Sequence, residues 1–189
     1  MTEENISKLP EVLKKHMATL KRTSKDPSNG VFMTESKMQV VNFDKLPKTY
    51  AREMGLTAIP KSNDALYIDD NRWFFIEFKN GEVQKDDIYR KIYDSLIVLI
   101  ELGVVDDFQF SRDNINYILV YNSQKYPCCP KSESREQNFG YFFKLANMEE
   151  KLFGAEAFEG YLFEEVHTCT KDLFQSRFVT VMESKEAGC

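Results

Sequence analysis

The sequence predicts one α/β (α+β) domain in which strands and helices alternate. Three observations carry that class. Trp73-Phe74-Phe75-Ile76-Glu77-Phe78-Lys79 reads as a strand that is apolar on both faces. Asp64-Ala65-Leu66-Tyr67-Ile68 precedes it across the turn residues Asp69-Asp70-Asn71-Arg72, which predicts a hairpin. A long apolar helical stripe (Ile88, Ile92, Leu96, Leu99) follows the hairpin, and a further strand follows the stripe at Asn116–Tyr121.

Taken in order, residues 8–22 place Leu9, Val12, Leu13, Met17 and Leu20 at helical spacing, with Lys8, Lys14, Lys15, Lys21 and Arg22 on the remaining surface. Such charges are more often a solvated face than a phosphate-binding one. Lys25-Asp26-Pro27-Ser28-Asn29-Gly30 is a breaker. A short strand is expected at Met38–Phe43. Pro47 suits the first turn of a short helix that runs through Met54 and ends at Gly55. After the hairpin, Asn80-Gly81 closes the strand, Asp86 or Asp87 is the expected helix cap, and Gly103 ends the helix near Leu102. Beyond residue 122 the pattern gives a polar loop at Tyr126–Glu136, helical character at Phe139–Phe153, a strand at Tyr161–Thr168, a short helix at Thr170–Phe178 and a loose tail at 183–189. The expected organisation is a single domain over 1–182: a core at about 38–121, an N-terminal helix at about 8–22 and a C-terminal α+β extension at about 139–182.

The chain has 189 residues, with 15 Phe and 9 Tyr, enough apolar surface for a real core. Its net charge of -5 excludes a globally basic nucleic-acid binder, although not a local basic groove. No apolar run approaches the roughly 20 residues of a spanning helix, and Met1–Asn5 is polar and acidic, unlike a signal peptide. The expected compartment is the cytoplasm, with no membrane partner. Cys128, Cys129, Cys169 and Cys189 show neither zinc-ligand spacing nor a disulfide framework, so reduced structural or surface thiols are expected. His16 and His167 lack a catalytic partner at any motif spacing, and His16 is expected to pack. No glycine-rich phosphate loop appears, which disfavours an NTPase.

The chemistry concentrates on the hairpin. Trp73, Phe75, Glu77 and Lys79 share one face of their strand, so a carboxylate and an ammonium stand on a largely apolar ribbon. Burying a charge is costly unless it is paired or binds a metal. Antiparallel pairing brings Asp64 toward Glu77, and two such carboxylates repel unless a cation sits between them. Mg²⁺ or Mn²⁺, hard cations that prefer oxygen ligands, fit that demand, and the backbone carbonyl of Phe78 offers a third oxygen. Lys79 is placed to orient or deprotonate a water, or to stabilise charge on a phosphate. The competing structural reading makes Glu77 and Lys79 a solvent-facing hairpin edge and Asp64 a turn residue. Trp73 and Phe75 on the same face count against it.

Asp64 thirteen residues before Glu77-Phe78-Lys79 resembles the signature of the PD-(D/E)xK nuclease superfamily. The segments Ser62-Asn63-Asp64-Ala65-Leu66-Tyr67 and Phe75-Ile76-Glu77-Phe78-Lys79-Asn80-Gly81 are similar to a group of bacterial members; Asn63 stands where many carry proline. The resemblance implies a restriction-endonuclease-like core, a four-stranded mixed sheet in α-β-β-β-α-β order. It implies a metal-dependent nuclease, most readily a DNase, with Asp64 and Glu77 as metal ligands and Lys79 as the catalytic lysine. It further nominates Glu53 as an added metal ligand and Lys85 and Lys91 as nucleic-acid contacts from the following helix. DNA is the expected partner, and a homodimer is compatible with it. The alternative is a catalytically inactive module on the same fold that binds nucleic acid or protein. Lys125, Lys131, Arg135 and Lys144 are a weaker basic set because Glu133, Glu136 and Glu149 lie among them.

Overall fold

The computed structural model describes residues 1–125 and 152–187. Its elements run α1 (Glu3–Lys8), α2 (Glu11–Lys14), β1 (Met17–Thr19), α3 (Leu20–Thr23), β2 (Gln39–Asn42), a 3-10 turn (Phe43–Lys45), α4 (Leu46–Glu53), β3 (Ala65–Asp69), β4 (Arg72–Lys79), α5 (Lys85–Glu101), α6 (Phe108–Asn114) and β5 (Ile115–Tyr121). After the undescribed stretch come a second 3-10 turn (Ala155–Phe158), β6 (Val166–Thr170), α7 (Lys171–Phe174), a π-helical turn (Gln175–Val179) and α8 (Thr180–Ala187).

The strands form one six-stranded mixed sheet in the order β1-β2-β3-β4-β5-β6. Pairing is antiparallel from β1 to β4 and parallel from β4 through β6. The parallel β4–β5 pair is made possible by α5, the crossover such pairs require. The expected β2-β3-β4-α5-β5 series is present, with α4 between β2 and β3. The sheet is wider than the expected four strands, because β1 and β6 add one strand to each edge.

Helices cover both faces. On the odd-numbered face of β4, Trp73 packs edge-on against Phe110 of α6, and Phe75 lies between Phe43 and Phe163. On the even-numbered face Tyr67 meets Phe74, and Phe78 meets Phe174 of α7. Every residue of β5 is buried, as expected of a central parallel strand.

Several expectations are corrected. The single helix over 8–22 is instead the last residue of α1, then α2, β1 and most of α3. Pro10 lacks an amide donor and sits at the cap of α2. Met17, Ala18 and Thr19 then pair with Val41, Val40 and Gln39, and that sheet contact overrides the helical spacing. Neither Asp86 nor Asp87 caps α5; Gln84 holds the cap position and its side chain makes no capping bond. Helix α6, capped by Asp107 through the Phe110 amide, fills the stretch before β5, where the sequence pattern assigns no element. The last strand begins at Val166, later than the expected Tyr161. The final helix does not stop near Phe178, and the expected tail is helical through Ala187. Contacts outside that segment's own sequence hold it: Glu183 accepts from Ser36, and Glu186 accepts from Tyr67. The expected loop at Tyr126–Glu136, the helix at Phe139–Phe153 up to residue 151, and Cys128, Cys129, Cys189, Lys131, Arg135 and Lys144 lie outside the described residues.

Candidate functional site

The carboxylates that the sequence singles out meet at the open end of the β3–β4 hairpin. Ala65 pairs with Ile76, so Asp64 stands across from Glu77 one position further on. The Asp64 amide donates to the Ile76 carbonyl at 3.1 Å. The Phe78 amide donates to Asp64 Oδ2 at 2.6 Å. In a strand the carbonyl of a residue points to the same side as its amide. The Phe78 carbonyl therefore faces the side occupied by Asp64.

Glu77 is fully buried. Its Oε1 accepts from Lys91 Nζ at 2.7 Å and lies 3.2 Å from Lys79 Nζ. Its Oε2 has no hydrogen-bond partner among the described residues. Lys91 Nζ also lies 3.6 Å from Asp64 Oδ1, so one ammonium bridges both carboxylates. Lys79 reaches Asp87 Oδ2 at 2.7 Å, and Asp87 is also paired with Lys61. Asn63 donates its backbone amide and its side-chain amide to Ser95 Oγ, at 3.0 and 3.1 Å, which ties the start of β3 to α5.

Electrostatics follow from this crowding. Burial, and then the nearby charge of Glu77, push Asp64 well above the usual carboxylate range. Burial also raises Glu77, opposed by Lys91 and Lys79. Burial is the largest single influence on both lysines and lowers them, but the carboxylates together outweigh it, Glu77 with Asp87 at Lys79 and Glu77 with Asp64 at Lys91, so both pKa values are raised. Burial pushes Asp87 up, yet its bonds to Lys61 and Lys79 hold it down, at about 2. Tyr117, buried on the neighbouring strand, is raised well above its ordinary value by burial and then by the charge of Glu77 and Asp64, so its hydroxyl stays neutral.

The group sits at the base of a cleft of about 610 Å³, into which Asp64, Phe78, Lys79 and Lys91 open. The opposite wall is the segment from Arg22 to Ser28, and Asp44 and Lys45 close one end.

The structure thus brings Asp64, Glu77, Phe78 and Lys79 together. It does not bring Glu53 to them: that residue is exposed in the last turn of α4 and does not line the cleft, whereas Asp44 does. Lys91, nominated as a nucleic-acid contact, is drawn inward to the carboxylates. Lys85 stays outside the cleft, its ammonium over the Tyr89 ring at 5.2 Å. Sequence reasoning missed Asp44 and gave Asp87 the wrong role. A signal was present: Asp87, Lys91 and Ser95 recur every four residues, a polar stripe on an otherwise apolar helix. His16 is half-buried 3.3 Å from the Thr49 hydroxyl, and His167 stands 3.2 Å from Glu165. Neither lines the cleft. Cys169 is buried on β6.

No family model matches the chain, and neither a curated protein nor a solved structure matches it. The site must therefore be read on its own chemistry. Among the described residues no group of three or more His, Cys, Asp or Glu side chains is placed to hold a metal ion. The donors at the cleft base are all oxygens, from two carboxylates and one carbonyl, and Glu77 Oε2 is buried without a partner. That set suits Mg²⁺ or Mn²⁺, because Mg²⁺ is commonly held by one or two carboxylates, with waters and substrate phosphate completing its shell. Among the described residues no helix is long and apolar enough to cross a membrane.

Proposed function

We propose that this chain is a metal-dependent nuclease that hydrolyses phosphodiester bonds, most readily in DNA, on a restriction-endonuclease-like core formed by β2, β3, β4, α5 and β5. The observation that carries the proposal is the opposed pair of a half-buried Asp64 and a fully buried Glu77 at the base of a cleft with two lysines. Desolvating two like charges side by side costs several kcal/mol by general estimates, and burial raises both of their pKa values. Groups perturbed in this way within a cleft concentrate at functional sites.

Asp64, Glu77 and the Phe78 carbonyl would hold Mg²⁺ or Mn²⁺. Bound there, such an ion supplies Lewis acidity toward a phosphoryl oxygen and lowers the pKa of a coordinated water. The chain's own groups do the rest. Lys79 carries a raised pKa, so at neutral pH it is an ammonium. Its role is to position the attacking water and balance negative charge on the phosphate, rather than to take a proton. Asp87 fixes the Lys79 ammonium from the far side at 2.7 Å. Lys91 neutralises both carboxylates, and with a divalent ion held by them its ammonium would be free to meet the phosphate. The buried walls around Glu77 limit competing water.

One observation favours a second reading. Lys91 already bridges the two carboxylates, and a permanent ammonium there would make the chain a binding module that does not cut. Mn²⁺ titration with parallel cleavage assays on single- and double-stranded DNA separates the two. The nuclease reading expects metal binding and cleavage, both lost in Glu77→Ala, with cleavage alone strongly reduced in Lys79→Ala. No metal binding and no cleavage of either DNA supports the second reading, and metal binding with no cleavage of either DNA also sinks the first.

A further inference from the structure

Lys79 and Lys91 spend their charges on Glu77, Asp64 and Asp87. Arg22, Lys25 and Lys45 also line the cleft, are exposed, and form no ion pair with any carboxylate of the described residues. The placement of these three cations is not random. The turn that carries Lys25 is pinned to the end of β4: Asp26 Oδ2 accepts from Asn80 Nδ2 at 2.8 Å, and Asn80 Oδ1 accepts from Asn122 Nδ2 at 2.9 Å. Asp26 is held to about 2 by bonds from Ser28 and Asn80, so its charge is engaged within the turn. Lys45 closes the 3-10 turn whose Phe43 amide donates to the Asp64 carbonyl at 3.1 Å. Lys25 therefore stands at the Lys79 end of the carboxylates, Arg22 lines the same cleft from the helix just before that turn, and Lys45 stands at the Asp64 end.

We propose that this cleft is a track for the backbone of single-stranded nucleic acid, with Arg22 and Lys25 holding phosphates on one side of the reacting phosphate and Lys45 on the other. The proposal rests on the phosphodiesterase reading of Asp64 and Glu77, and it adds the form of the substrate and three positioning residues. Size argues for a single strand. A cleft of about 610 Å³ lies in the roughly 300–1,000 Å³ range that encloses one small molecule. It admits a strand or a frayed end to Asp64 and Lys79 at its base, and a paired duplex must open first. Charge argues for a polyanion: unpaired cations on both flanks of an internally balanced centre attract successive phosphates, and release of the strand's counterions adds salt-dependent affinity.

The test is binding of a fluorescent oligothymidylate to the full chain in EDTA, where nothing is cut, across a salt series. The expected result is binding by wild type that weakens at least tenfold at low salt in the Arg22→Ala/Lys25→Ala/Lys45→Ala variant. Its log–log salt slope should fall by roughly 2, since each contact removed takes away about 0.7 on a single strand. The three side chains are exposed, and a near-ultraviolet circular dichroism spectrum confirms that the variant is folded. Lys45→Glu alone should also weaken binding, which checks the Asp64 end separately. Unchanged affinity and slope in the triple variant overturn the proposal. So does a duplex of equal length that binds as tightly as the single strand, or thymidine monophosphate that binds as tightly as the oligonucleotide. The two readings fail differently. Cation-dependent strand binding without cleavage in Mn²⁺ sinks the nuclease and leaves the track. Mn²⁺-dependent cleavage and binding that both ignore the three cations sink the track and leave the nuclease.

Discussion

The two ends of the β3–β4 hairpin carry charge in opposite ways. At the turn, Asp69 pairs in register with Arg72, and Lys185 reaches Asp69 at 3.1 Å. These are opposite signs, and the Lys185 side chain is 62 % exposed. At the open end, two carboxylates face each other, Glu77 is fully buried, and one of its oxygens has no partner among the described residues. Both ends use the same hairpin and similar residues. The turn end is what stability alone produces, an exposed pair worth little either way. The open end departs from that in a way that stability does not explain, and such departures are where function is sought.

The contrast can be broken most sharply through Lys91. Lys91→Met should destabilise the protein by about 3 kcal/mol in urea unfolding, because removing one partner of a buried ion pair leaves the other charge uncompensated. Adding Mn²⁺ should recover part of that loss, since a ligand that binds only the native state stabilises it. A variant as stable as wild type would mean that the carboxylates are not charged in the fold.

Asp64 and Glu77 have raised pKa values in the folded state. Their contribution to stability is therefore fully present below the ordinary carboxylate range and is lost as pH rises through the raised values. A metal needs the ionised form, so Mn²⁺ affinity should run the other way, rising by up to about tenfold per pH unit for each proton displaced. Calorimetric titrations at several pH values check this, and a flat profile would contradict it. A smaller effect is expected from Asp64→Asn, whose side-chain oxygen can still accept from the Phe78 amide. Removing the like charge should stabilise the metal-free protein by about 1 kcal/mol while weakening Mn²⁺ binding. Loss of both stability and metal binding would assign Asp64 a purely structural role. The smallest effect belongs to the turn end: Lys185→Ala should change stability by no more than about 0.5 kcal/mol and leave cleavage unaltered.

The hairpin, α4, α5 and β5 were legible in the sequence because their apolar periods are strong and their turns are marked by Asp70-Asn71, Asn80-Gly81 and Gly103. Asp64, Glu77 and Lys79 were legible for the same reason: a charge on an apolar strand face is visible without a structure. What escaped depends on contacts distant in sequence. Met17–Thr19 have a helix-compatible pattern and become a strand only by pairing with β2. Residues 183–187 look polar enough for a tail and are helical where Glu183 and Glu186 dock on Ser36 and Tyr67. Asp44 and the inward turn of Lys91 depend on how the 3-10 turn and α5 lie over the hairpin, which no local period encodes.

The central claim is that the opposed carboxylates hold a divalent ion for phosphodiester hydrolysis. Its most direct test is Mn²⁺-dependent cleavage of an end-labelled single-stranded oligonucleotide by wild type and Glu77→Ala, with metal binding followed on the same samples. Cleavage by wild type should stop in EDTA and fall about 10²–10³-fold in Glu77→Ala, a loss of the size expected when a principal electrostatic group is removed, with metal binding lost in parallel. Wild type that binds no Mn²⁺, or Glu77→Ala that cuts as fast as wild type, would contradict it.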